Sequence, residues 1–335
     1  MAKSPSLFNK ILPNNTIIVA VSGGADSVYL LHQCLELPSK PHIIVVHINH
    51  GMRLFGANRD YNFVKKLAEK YQLPFEGKKI DLKKTPGNLE ENARQARYKF
   101  FEEIREKYKA NWILTGHHLQ DQTETLLLNF TRGISFRGMN GIHLINKKKH
   151  LLRPLLQTSK KEILAYLKNR QLPFKSDSTN KNTEFRRNFL RHKIIPLFLQ
   201  LNPNFHQTFT TSAKHLAETQ KFTELKAKKW LQKNLSYDTK KQPNFLLESF
   251  LKNPLIMQKY IIILLFKSLN SSNITIHQIK EILNTLQLNK ANRKKEFGST
   301  FELSIVKTQQ SAKRAVVVKK KLNYNKQRQK SSKKS

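Results

Sequence analysis

Ser22-Gly23-Gly24-Ala25-Asp26-Ser27 follows the apolar run Thr16–Val21 and precedes Val28–Leu37, a segment with helical spacing. A strand that passes through paired glycines into a helix presents backbone N–H groups at the positive end of the helix dipole, where phosphate is favoured. The glycines permit close approach and unusual dihedral angles. Ser22 and Ser27 add hydroxyl donors, and Asp26 is the carboxylate best placed to hold a magnesium ion or orient attacking groups. A plain turn capped by Asp or Ser would use the same residue types, yet here strand, glycine pair, acid and helix occur together and in order. The chain has neither Gly-x-x-x-x-Gly-Lys-Ser/Thr nor a Gly-x-Gly-x-x-Gly after a strand, so it carries neither of the commoner nucleotide loops.

Further polar groups cluster at spacings that suit ligand binding. Thr115-Gly116-His117-His118-Leu119-Gln120-Asp121-Gln122-Thr123-Glu124-Thr125 opens a helix after an apolar strand. Asp121 and Glu124, three apart, share a helix face and can hold magnesium or bind amino groups by charge-assisted hydrogen bonds. His117 and His118 lack a third ligand at zinc spacing, which favours polar contacts; a neighbouring carboxylate or a histidine, with His118 the candidate, suits proton transfer. Glu90, Arg94 and Arg97 fall on one stripe of a charged helix, either as a surface ion-pair ladder or as phosphate clamps. Arg132, Arg153, Arg187, Asn188 and Arg191 add groups that commonly meet phosphates and bases, although Arg187 and Arg191 also fit a solvated i,i+4 pair.

The elements that must position these groups alternate. Strands are expected at Thr16–Val21, His42–His47, Lys79–Asp81 and Trp112–Thr115, with helices at Val28–Leu37, Asn58–Tyr71, Leu89–Lys107 and Gln120–Arg132. This is the pattern of a doubly wound, mostly parallel α/β sheet whose ligand site lies beyond the strands' carboxyl ends. Later segments read as helical: Lys160–Arg170, Asn188–Leu199, Thr208–Leu235, Leu246–Leu269 and Ile276–Leu286, with strand-like runs at Thr300–Val306 and Ala315–Val318. The expected organisation is a catalytic domain over 1–200, a smaller, mainly helical region over 201–312, and a basic, disordered tail over 313–335, which holds ten Lys or Arg and no acid.

Composition narrows the partners. In 335 residues, 61 Lys and Arg face 23 Asp and Glu, a net charge of +38, which suits a polyanionic partner, although the abundance of lysine throughout makes part of the excess compositional. The single cysteine, Cys34, excludes an internal disulfide and any Cys-x-x-Cys metal site, and reads as a small buried hydrophobe in a reducing compartment. No apolar stretch approaches the roughly 20 residues that span a bilayer, and no secretory signal is evident at the start, so a cytoplasmic, membrane-free setting is expected.

The Ser22–Ser27 loop resembles that of the N-type ATP pyrophosphatases, which transfer AMP to a carbonyl oxygen so that a nitrogen or sulfur nucleophile can displace it. From about Thr16 to Pro196 the chain is similar to the tRNA(Ile)-lysidine synthetase family. His47-Ile48-Asn49-His50-Gly51-Met52-Arg53 matches its His-x-Asn-His-Gly-x-Arg pattern, and Glu90–Tyr98 its Glu-x-x-Ala-Arg-x-x-Arg-Tyr helix. Arg132-Gly133-Ile134-Ser135, Arg153-Pro154-Leu155-Leu156, Asp177-Ser178-Thr179-Asn180 and Arg187-Asn188-Phe189-Leu190-Arg191 match further blocks. Gly116–Thr125 departs from the family's Gly-His-His-x-Asp-Asp-Gln-x-Glu-Thr at Gln120, where an acid is usual.

The resemblance implies ATP, with magnesium, at Ser22, Gly23, Gly24, Ala25, Asp26 and Ser27. It assigns free lysine to Asp121 and Glu124, and phosphate or tRNA to Arg94, Arg97, Arg132, Arg187, Asn188 and Arg191. It implies lysidine formation at the wobble cytidine of the CAU anticodon of isoleucine tRNA, and leaves room for a homodimer. A tRNA thiolase of the same superfamily and an RNA-binding module without catalysis are the alternatives.

Overall fold

The computed structural model describes residues 15–49, 56–80, 89–132, 138–175, 185–269, 274–288, 294–297, 301–307 and 314–320. The chain divides into two units, Met1–Lys214 and His215–Ser335.

In the first unit, β1 (Thr16–Ala20), β2 (His42–Asn49), β3 (Phe75–Lys79), β4 (Trp112–Leu114), β5 (Ile145–Asn146) and β6 (Leu151–Leu152) form one sheet in the order β3-β2-β1-β4-β6-β5. All neighbours run parallel except β5 and β6. Runs of β-branched residues make the central strands apolar on both faces, and both faces are covered. Ile17 and Val19 pack with Val28 and Leu31 of α1 (Ala25–Leu35) and with Ile163 and Leu167 of α5 (Lys160–Asn169). Ile18 packs on the other face with Phe100, Phe101 and Ile104 of α3 (Leu89–Lys107). The helices α2 (Gly56–Lys70) and α4 (Leu119–Thr131) complete the alternation. The order reverses direction between β1 and β4, which opens a crevice at their carboxyl ends.

Several expectations shift. The third strand lies at Phe75–Lys79 rather than Lys79–Asp81; it is an edge strand with half-exposed residues, so its hydrophobic signature is weak. The helix expected over Asn188–Leu199 is α6 (Arg186–Phe189), a π-helical turn at Leu190–Ile194 and α7 (Ile195–Leu201). Pro196 lacks an N–H and cannot continue an ordinary ladder, and the wider turn before it absorbs the mismatch. Leu127 of α4 packs with Leu190 and Ile195, which fixes this segment to the catalytic sheet's helix layer.

The contact boundary at Lys214 falls within α8 (Phe205–Asn234). The second unit is mainly helical, with α9 (Leu247–Leu251), α10 (Leu255–Ser268) and α11 (Ile276–Gln287). The helix expected over Leu246–Leu269 is interrupted at Pro254, which disfavours helical backbone at Asn253 and becomes the N-cap of α10. A five-stranded antiparallel sheet joins these helices: β7 (Ser236–Tyr237), β8 (Pro243–Leu246), β11 (Arg314–Lys320), β10 (Phe301–Lys307) and β9 (Lys294–Phe297), in that spatial order. The strand-like runs expected at 300–306 and 315–318 correspond to β10 and β11, at its centre, with Thr300 outside the described residues. Arg314–Lys320 is therefore strand rather than tail, because Ala315, Val316 and Val318 bury against the unit's core; residues 321–335 lie outside the described residues.

Candidate functional site

The loops after β1, β4 and β6 meet at a cavity of about 780 Å³. Ser22, Asp26 and Ser27 border it, as do His117, His118, Gln120, Asp121, Glu124, Lys160, Arg191 and His206.

The phosphate-loop candidate is held in shape by its own serines. Ser27 Oγ donates to the Gly24 carbonyl at 2.9 Å and lies 3.2 Å from Ser22 Oγ, and the Gly24 N–H donates to Ser22 Oγ at 3.3 Å. Gly23 has φ +92°, and a Cβ there would press on Phe63 at 3.3 Å. Gly24 is the N-cap of α1 and brings no capping side chain; its carbonyl takes the Ser27 N–H at 3.1 Å, and the Ala25 and Asp26 amides stand at the positive end of the helix, where an anion is favoured. Gly116 is the matching device on β4's loop: its added Cβ would lie 3.1 Å from the Asp26 carbonyl carbon and oxygen, so a side chain there would press on the phosphate loop's backbone.

His118 joins them. It is the N-cap of α4 in a reciprocal capping box, its N–H donating to Asp121 Oδ2 at 3.0 Å. Its Nε2 stands 3.6 Å from Asp26 Oδ1 and 3.5 Å from Asp121 Oδ2. When Nδ1 accepts the Gln120 N–H at 3.2 Å, the proton sits on Nε2, between the two carboxylates.

The acidic face carries its own counter-ions. Glu124 is fully buried and accepts from Arg187 Nε at 2.7 Å, from Arg191 Nε at 2.6 Å and from Arg191 Nη2 at 3.0 Å. Arg187 Nη2 also reaches Asp121 Oδ1 at 3.4 Å. The two arginines thus do not form a solvated pair; the i,i+4 spacing brings both guanidinium groups onto Glu124. Burial pushes Asp121 toward the neutral acid, but His118, Arg187 and His117 outweigh it and hold the carboxyl below its usual range. Burial pushes His117 down to about 4, reinforced by Arg153, Arg187 and Arg97 against the pull of Asp121, and its Nδ1 lies 2.9 Å from Thr115 Oγ1. His117 is neutral near pH 7.

The remaining sequence candidates divide. Arg97 lines the cavity. Arg94 is exposed and stacks over Tyr98 at 5.4 Å, and Arg132 is exposed at the C-cap of α4; neither borders the cavity. Asn188 is half-buried on α6. Arg153 is buried and braces the His143 carbonyl at 2.8 Å and the Tyr98 hydroxyl at 3.5 Å. His47 is buried, its Nδ1–H donating to the Val21 carbonyl at 2.8 Å, which ties β2 to the strand that enters the phosphate loop. The His50–Arg53, Gly133–Ser135 and Asp177–Asn180 parts of the matched blocks, and the side chain of Glu90, lie outside the described residues.

Two cavity residues carry no motif in the sequence. Lys160 Nζ meets Asp26 Oδ1 at 2.5 Å, and His206 Nδ1 lies 3.0 Å from Thr123 Oγ1. Lys160 has one signal, its place just inside the Ser159–Glu162 capping box; His206, at the start of a long helix, has none. Among the described residues no cluster of three or more His, Cys, Asp or Glu is arranged to hold a metal ion.

The chain is 40% identical over 209 residues to the tRNA(Ile)-lysidine synthase of Haemophilus ducreyi, covering 61% of this chain and 47% of that protein. It is 33% identical over 288 residues to the bifunctional protein TilS/HprT of Listeria monocytogenes, covering 83% of this chain and 44% of the relative. It thus spans just under half the length of the curated relatives it matches. The U34-tRNA thiolase NcsA of Methanococcus maripaludis, solved with its [4Fe-4S] cluster, shares the fold with a TM-score of 0.54 at 15% identity, over 64% of this chain and 79% of that one. The PP-loop domain family matches residues 2–198, more than half of the sequence, including the strands and loops that carry the Ser22–Ser27 and Gly116–Glu124 segments, so the chain belongs to that family.

Proposed function

We propose that this chain ligates lysine to the wobble cytidine of the CAU anticodon of isoleucine tRNA, forming lysidine at the expense of ATP. The observation that carries the reading is that the phosphate loop and the acidic pair occupy one cavity, with His118 Nε2 within 3.6 Å of Asp26 and 3.5 Å of Asp121. The cytosine 2-carbonyl oxygen attacks the α-phosphorus of ATP and pyrophosphate leaves. The ε-amine of lysine then attacks the ring carbon, and AMP departs with the oxygen.

Each step has groups in place. Ser22, Ser27 and the first-turn amides of α1 receive the phosphates, stabilising charge as it builds. Asp26 is a single carboxylate, which suits a magnesium ion held mainly by substrate phosphates and water; bound there, it would neutralise phosphate charge. Asp121 borders the cavity and offers the accessible carboxylate for the lysine ammonium, with Glu124 behind it fixed by Arg187 and Arg191. His117, neutral near pH 7, and His118 lie within the same wall. The strong positive charge of the chain suits the tRNA backbone.

A cluster-dependent thiolase would need several cysteines, and the one here, Cys34, is buried with its thiol pushed up by burial. Incubation with ATP, magnesium, labelled lysine and unmodified isoleucine tRNA should give tRNA-bound lysine and release AMP and pyrophosphate. Folded protein that incorporates no lysine would end the proposal.

A further inference from the structure

We infer that Lys160 contacts the pyrophosphate portion of the nucleotide and that Gln120 positions it; the inference rests on the reading that the Ser22–Ser27 loop receives ATP. Lys160 opens α5 after the loop that follows β6, far from the phosphate loop in sequence, yet its Nζ lies 2.5 Å from Asp26 Oδ1 at the wall shared with Ser22 and Ser27. A carboxylate at the mouth of an anion site repels the phosphates it serves unless a cation neutralises it. Lys160 is that cation.

Its base is held from two sides. The backbone N–H of Lys160 donates to Gln120 Oε1 at 3.0 Å, and the reciprocal Ser159–Glu162 cap holds the first turn of α5. The four-carbon stem leaves the ammonium able to pass from Asp26 to a phosphate oxygen beside it. Gln120 acts at this base. Its neutral amide oxygen accepts the Lys160 N–H at 3.0 Å, and its own backbone N–H donates to His118 Nδ1 at 3.2 Å, so one residue ties the start of α5 to the residue that bridges Asp26 and Asp121.

The test is binding, measured by calorimetry on the full chain with magnesium but without tRNA or lysine, using inorganic pyrophosphate and AMP as separate probes. Lys160→Met should weaken pyrophosphate about 10- to 100-fold, the range for a hydrogen bond to a charged group, while AMP changes less than about twofold on the same scale. Lys160→Arg should keep most pyrophosphate affinity. Gln120→Met, which leaves the lysine in place, should give an intermediate loss for pyrophosphate alone. Unchanged pyrophosphate binding in Lys160→Met, or equal losses for both probes, would overturn the contact. Parent-like pyrophosphate binding in Gln120→Met would overturn the positioning. Because no lysine or tRNA is present, failure of lysidine formation leaves this result standing, and the reverse also holds.

Discussion

Arg187 donates through Nε to Glu124 Oε2 at 2.7 Å, although the two are 63 residues apart in the chain. Glu124 is buried at the first turns of α4, and Arg191 closes on its other oxygen. A buried carboxylate with two guanidinium partners is costly to break, because whatever remains is an uncompensated charge. Glu124→Gln keeps the shape and removes the charge; it should destabilise the first unit by about 3 kcal/mol, near the low end for a broken buried pair because both arginines are about one-third exposed. Urea denaturation measures it, and a loss under about 1 kcal/mol, the scale of a surface pair, would mean the network contributes little.

Asp121 is the accessible member of the acidic pair. Asp121→Asn should raise the KM for lysine while leaving the KM for ATP near the parent value, since the proposed function assigns this carboxylate to the amine and the Ser22–Ser27 loop to the phosphates. Initial rates of lysine incorporation at varied lysine and varied ATP separate the two. Equal changes in both would relocate the lysine site.

Gly116 is where two loops touch. Gly116→Ala places a methyl 3.1 Å from the Asp26 carbonyl carbon and oxygen, and backbone cannot yield as a flexible side chain can. The substitution should push the phosphate loop aside, raising the KM for ATP with a cost of about 1–3 kcal/mol in stability. Gly23→Ala should act on the same KM through its φ of +92°, which an L-residue adopts only with strain. Parent-like ATP kinetics in both variants would show that the loop is not the nucleotide site.

His117 predicts a pH dependence. Its pKa falls from 6.5 to about 4 on folding, so between these values the unfolded chain binds a proton that the folded chain refuses. Stability is therefore full above about pH 6.5, declines as pH falls toward 4, and levels off below it. His47 and His206, also lowered by burial, act in the same direction. His117→Gln should flatten part of that decline in denaturation curves taken from pH 7 to 4. A slope unchanged from the parent would place the titration elsewhere.

The net charge of +38 predicts a steep salt dependence of tRNA binding. If several phosphates are neutralised, log affinity should fall linearly with log salt, with a slope of about −0.7 to −0.9 per phosphate contact. A flat response would make the charge compositional.

Local pattern makes much of this protein readable. Thr16–Ala20 and His42–Asn49 are strands because β-branched runs suit a sheet covered on both faces. The Gly23-Gly24 turn and the Gly116–Thr125 helix start are equally local, since spacing and glycine alone decide that backbone can approach and that Asp121 and Glu124 share a face. Pattern misleads where a strand is short or at an edge. Phe75–Lys79 has little hydrophobic contrast, so its apolar signal points instead to Lys79–Asp81, and Leu151–Leu152, two residues long, leaves no periodicity.

Partner choice belongs to the tertiary structure. Spacing places Arg187 and Arg191 on one face but cannot say that Glu124 will be opposite them, and nothing local to Lys160 points to Asp26. Hydrogen bonds and ion pairs act over a few ångströms in space and are blind to distance along the chain. Sequence alone therefore determined which chemistries were on offer, a phosphate loop and an acidic face among abundant cations. Only the order of strands, with β4 and β6 set beside β1, decided that these groups would line one cavity and which charge would answer which.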